Sequence, residues 1–103
     1  MPIGTNPWYT YRLPSDFDTS QVAKVRFVIR QRDGVKVVKT ENDEDVKIEG
    51  NLVNIRLTQE DTFRLNAKLP GERQLRIKTK TGDLFKTKPE TFMINDCLDR
   101  EVL

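Results

Sequence analysis

The densest chemistry in this chain is the acidic run Glu41, Asp43, Glu44 and Asp45. Calcium takes several hard oxygen ligands from a flexible loop, and these carboxylates are of the right type. The run lacks the D-x-[DN]-x-[DN]-G spacing that folds a loop around the ion. A solvated, charged connection between strands is therefore the expectation. Asp16 and Asp18 have the spacing of a carboxylate pair, but they follow Pro14 in what reads as a polar turn. The single cysteine lies in Asn95-Asp96-Cys97-Leu98-Asp99. A reactive thiolate wants a cation or a helix N-terminus nearby, and the acidic neighbours of Cys97 act the other way, so it reads as a small packing residue. The 103 residues include no histidine. That removes imidazole bases, Ser-His-Asp and Cys-His nucleophiles and histidine metal ligands. One cysteine excludes an internal disulfide and multi-cysteine metal sites. The chain reads as a non-enzyme, with no catalytic residues, no metal and no cofactor.

The basic residues fall on alternating positions. Lys24, Arg26, Arg30 and Arg32 share one parity, as do Arg76, Lys78 and Lys80. A basic sheet face can track a phosphate backbone. Sheets that bind nucleic acid also present aromatics for the bases to stack on, whereas Val28 and Gln74 stand at the matching positions here. With 18 Lys+Arg against 16 Asp+Glu and a net charge of +2, these faces read as wetted surfaces balanced by acids elsewhere. Nucleic acid is not an expected partner. The single tryptophan carries a sharper signal. Tyr9, Tyr11 and Leu13 take the inward parity, so Trp8 points outward with Thr10 and Arg12. An exposed Trp beside an Arg has the composition of an interface hot spot, with Arg12 placed to stack on the indole or to meet an acidic partner. Trp8 and Arg12 are thus the candidate partner-interface residues. The competing reading folds Trp8 over the rim of the domain.

The elements that carry these residues are short strands. Val25, Phe27 and Ile29 alternate with Arg26 and Arg30, and Val46 and Ile48 with Lys47 and Glu49. Val53, Ile55 and Leu57 alternate with Asn54 and Arg56, and Leu75 and Ile77 with Arg76 and Lys78. Period-two alternation marks strands with one buried face. Val35 to Val38 is strand-like with an ambiguous face, and Leu84 to Ile94 contains Pro89, which suits an edge or a bulge. Asp33-Gly34 and Gly50-Asn51 predict type I′ hairpin turns, and Pro70-Gly71 a type II turn. Thr58 with Asp61 predicts a capping box and a turn or two of helix, and a further short turn is expected at residues 18–21. Residues 1–103 are read as one all-β domain, an antiparallel β-sandwich of about seven strands with one or two short helical turns. Its expected core is Tyr9, Tyr11, Leu13, Phe17, Val25, Phe27, Ile29, Val46, Ile48, Val53, Ile55, Leu57, Phe63, Leu75, Ile77 and Phe85. No stretch approaches a membrane-spanning length, and the first residues lack the pattern of a signal peptide.

Three segments go further: residues 3–18, residues 27–31 with the glycine turn after them, and above all Ile48-Glu49-Gly50-Asn51-Leu52-Val53-Asn54-Ile55-Arg56-Leu57-Thr58-Gln59-Glu60-Asp61-Thr62, continued in Gln74-Leu75-Arg76-Ile77-Lys78-Thr79-Lys80-Thr81-Gly82. In these the chain resembles small proteins of the tail and baseplate modules of phages and prophages of Gram-positive bacteria, with their G-N-x-V-x-V-x-L-T-Q-E-E-T pattern. It departs from them where Thr81, rather than Asp, precedes Gly82, and where Pro89 interrupts the last strand. The resemblance implies an immunoglobulin-like sandwich, similar to the N-terminal domain of baseplate upper proteins. It implies a virion structural role with other tail and baseplate proteins as partners, and a homo-oligomer of cyclic copies around the tail axis. No membrane is expected as a partner. The implied location is the host cytoplasm during synthesis, then the virion tail. Two rivals stand beside it. A carbohydrate-binding module for host recognition needs several coplanar aromatics, and Trp8 and Phe92 are the candidates. A small nucleic-acid-binding barrel lacks its stacking rings.

Overall fold

Alternation becomes strand throughout the computed structural model, which describes residues 1–17 and 19–96. Among these residues the strands are β1 (Trp8–Arg12), β2 (Val22–Arg30), β3 (Lys36–Thr40), β4 (Val46–Glu49), β5 (Leu52–Arg56), β6 (Gly71–Thr79), β7 (Leu84–Lys86) and β8 (Glu90–Phe92). A 3-10 turn covers Thr19–Gln21, and α1 covers Gln59–Phe63. The strands form two antiparallel sheets. One has the order β1-β5-β4; the other runs β3-β2-β6-β7, with β8 also paired to β6. Among the described residues no helix is long and apolar enough to cross a membrane.

The two sheets share one core. Phe27 of β2 is fully buried, and its ring centroid lies 5.6 Å from that of Tyr9 and 6.1 Å from that of Tyr11, both on β1. Val25, Ile29, Leu75 and Ile77 from the larger sheet meet Val53 and Ile55 from the smaller one. Tyr9, Tyr11, Phe17, Val46, Ile48, Phe63 and Phe85, expected inside, sit half-buried against this core. Ile3, Val37, Leu65 and Ile94 complete it.

Eight strands replace the expected seven because Pro89 splits the last run. Proline has no N–H to give a ladder. Thr87, between β7 and β8, keeps the chain attached to β6 instead: its N–H donates to the Leu75 carbonyl at 3.0 Å, and its hydroxyl accepts from the Leu75 N–H at 3.1 Å.

Two hairpin turns stand where expected but differ in kind, and a third is not formed. Asp33 keeps a negative φ and Gly34 alone is left-handed, at +89°. A type I′ turn needs two positive φ values. The observed bond from the Gly34 N–H to the Gln31 carbonyl instead fits a type I turn followed by a left-handed glycine. In the next hairpin the positive φ falls on Gly50 alone, the first loop position, which is the type II′ pattern. Gly71 has no positive φ and begins β6, so the expected type II turn is absent. Its role is close approach: a Cβ there would stand 2.7 Å from the Phe92 ring.

Candidate functional site

β1 pairs with β5 in the register Trp8↔Arg56, Thr10↔Asn54, Arg12↔Leu52. That places Trp8, Thr10 and Arg12 on the outer face of the smaller sheet, as parity predicts. Trp8 is 49% exposed. The cation over its ring is Arg56, 5.4 Å from the ring centroid, and not Arg12. A residue directly opposite on the next strand lies closer than one two places along the same strand, and the pairing of β1 with β5 is not written in the local sequence. Arg56 is itself fixed: its Nη2 and Nε lie 3.1 and 3.2 Å from Asp45 Oδ1. Beside the indole, the Thr10 hydroxyl donates to Asn54 Oδ1 at 2.8 Å.

Asp45 leads inward to a cluster that the sequence reading missed. Lys39 stands opposite Phe27 on the inward face of β3. Its ammonium meets Asp45 Oδ2 at 3.1 Å and Asp61 Oδ2 at 2.7 Å, with the Lys39 side chain 9% exposed. Asp61 closes the capping box of α1: its N–H donates to Thr58 Oγ1, and its carboxylate accepts from the Thr58 N–H. One lysine from the larger sheet thus clamps the entrance of β4 and the helix that follows β5. Burial opposes the charge on Lys39, but the hydrogen bonds it donates to Asp61 and Asp45 outweigh it and raise its pKa. Burial likewise acts to raise the Asp61 pKa, and the bonds from Lys39 and Thr58 bring it below the ordinary value.

The acidic run is dispersed among local duties. Glu41 Oε2 accepts from the Val25 N–H at 3.0 Å, which lowers its pKa. Asp43 Oδ2 accepts from the Thr40 N–H at 2.7 Å, closing the β3–β4 connection. Asp45 belongs to the lysine cluster, and Glu44 is exposed. Among the described residues no three Asp, Glu or Cys side chains gather where a metal ion could sit. Asp16 is exposed in the turn after Pro14. Asp18 and Cys97 lie outside the described residues.

The basic parities converge on one surface. Lys24, Arg26 and Arg30 of β2 lie beside Arg76 and Lys78 of β6, and Val28 faces Gln74 between them. Arg32 leaves this face because β2 ends at Arg30 and the chain turns, with Gln31 buried. Lys80 follows the end of β6. Phe92 is half-buried beside Arg73, whose guanidinium lies 5.6 Å from its ring centroid, and packs against the core. Trp8 and Phe92 therefore do not form one platform for a sugar. The two outer faces therefore differ: an indole capped by an anchored arginine lies on one, a field of cations on the other.

Compared with known protein families and with curated proteins, the chain matches none.

Proposed function

We propose that this chain is a non-enzymatic structural or assembly protein of a phage tail or baseplate, built as an immunoglobulin-like sandwich and acting through protein–protein contacts. The reading rests on the resemblance of its sequence segments. The observation that carries the contact role is Trp8. A tryptophan half in water on a soluble surface is a large apolar area left unused by the monomer. Here it is held still by Arg56, which is anchored in turn by Asp45. A pre-ordered aromatic–arginine pair loses little side-chain freedom when a partner arrives. β1 is also an edge of its sheet, with one side unpaired, and such an edge can be extended by a neighbour's strand.

The test is Trp8→Ala. Loss of the stacked arginine contact lowers stability by about 0.5–1 kcal/mol. Self-association in sedimentation, or incorporation into tails, falls while the fold persists. A variant that associates as before would make Trp8 rim packing and place the contact elsewhere.

A further inference from the structure

The outer face of the larger sheet sets like charges against each other. Arg26 stands directly opposite Arg76, and Lys24 opposite Lys78, across β2 and β6. Arg76 also faces Lys86 across β6 and β7, and Arg30 faces Lys36 across β2 and β3. Like charges directly opposite on a sheet are destabilising. Glu72 relieves one of them, pairing with Arg30 at 3.8 Å, and Lys24 feels the carboxylate of Glu41 at the end of the face. Among the described residues no carboxylate lies within ion-pair distance of Arg26, Lys36, Arg76, Lys78 or Lys86.

The face is not uniformly polar. Leu84, opposite Lys78, is 79% exposed at the rim of a groove that Arg26, Arg76, Lys78 and Lys86 also line. Val28 and Val38 stand opposite one another in the middle of the face. A phosphate backbone gains nothing from apolar side chains, and single-stranded nucleic acid asks for rings to stack on. The one ring of β7, Phe85, takes the opposite parity: it borders the groove but packs edge-to-face on Phe17 and against the core. Arginines around apolar contacts are the composition of protein interfaces.

We propose that the outer face of the five-stranded sheet docks an acidic segment of a partner protein, with carboxylates on Arg26, Arg76, Lys78 and Lys86 and an apolar side chain against Leu84. The charge repulsion is then a feature of the unbound state that the partner relieves. The proposal stands on this face alone, so it can fail or hold independently of the tail assignment and of Trp8.

Calorimetry on the full chain at low salt decides it, using a synthetic peptide repeating Glu-Leu-Asp, its Glu-Ser-Asp counterpart and a short DNA duplex. The leucine peptide is expected to bind about tenfold tighter than the serine peptide and tighter than the duplex. Leu84→Ser should remove that preference. Arg76→Glu should weaken the peptide about tenfold without lowering the melting temperature, since it removes two like-charge contacts. Tightest binding to the duplex would overturn the proposal in favour of a phosphate partner. Equal affinity for the two peptides, or binding of neither, would overturn it outright.

Discussion

Charge is gathered in two places in this molecule, and they are built in opposite ways. Around Lys39, two carboxylates enclose the ammonium, and each is held by a further donor, Asp45 by the Arg56 guanidinium and Asp61 by the Thr58 N–H. On the outer face of the larger sheet, cations stand opposite cations with a single carboxylate between them. The first arrangement is complete within the chain. A buried charge without a partner is strongly unfavourable, so the interior admits a lysine only where its partners converge on it. The second arrangement survives because water screens it, and among the described residues Glu72 alone forms an ion pair with it. Enclosed charge holds the fold together; unmatched charge on a wet face is what the proposed acidic partner would neutralise.

The comparison breaks most decisively at Lys39. Lys39→Met should cost about 3–5 kcal/mol at neutral pH, because it removes the ion-pair partner of the part-buried Asp61 and leaves Asp45 to Arg56 alone. Denaturant midpoints measure this, and a loss under about 1 kcal/mol would mean the cluster is solvated like a surface pair. The same cluster sets a pH window. Asp61 has a folded pKa below its unfolded one, so its contribution is present above the ordinary carboxylate range and is lost as pH falls through the lower folded value. Lys39 has a folded pKa above its unfolded one, so its contribution is present below the ordinary lysine range and is lost as pH rises through the higher value. Stability should therefore be level from about pH 5 to about pH 9 and fall on both sides. The gap between wild type and Lys39→Met should narrow in acid, where the Asp61 carboxylate that has lost its lysine takes up a proton.

A smaller effect tests how Asp61 is aimed. Thr58→Ala should cost about 1 kcal/mol by removing the cap bond, and thermal melts would show it. On the outer face the sign reverses. Arg76→Gln should stabilise by a few tenths of a kcal/mol, up to about 1, by relieving Arg26 and Lys86. A lower melting temperature would show that these side chains avoid each other already. Smallest of all, Lys47→Ala, on the mixed-charge face of the smaller sheet, should stay within about 0.5 kcal/mol.

Parity was the most legible part of the fold. Trp8, Thr10 and Arg12 lie outward, and Phe27, Val53, Ile55 and Leu75 lie inward, because a strand's side chains alternate whatever it pairs with. The Thr58–Asp61 capping box was equally readable, since both of its bonds span three residues. Lys39 was hidden by its neighbours. Val37 and Val38 are adjacent, so the face of β3 was ambiguous, and Val37 alone, being buried, puts Lys39 on the inward side. The two hairpin turns were located by Gly34 and Gly50 but not typed, because the turn type depends on the register of the strands on either side.

What the sequence by itself determined is local: alternating strands, turn positions, the helix cap, and the exclusion of histidine chemistry. What only the tertiary structure decided is which local pieces meet. It set Arg56 rather than Arg12 over Trp8, brought Asp45 and Asp61 to Lys39, turned Gly71 into a space for Phe92, and laid the cations of β2, β6 and β7 on one surface. Alternation and capping act over two or three residues and are written in adjacent letters. Cross-strand neighbours are set by sheet order and register, which depend on how the whole set of apolar faces closes on one core.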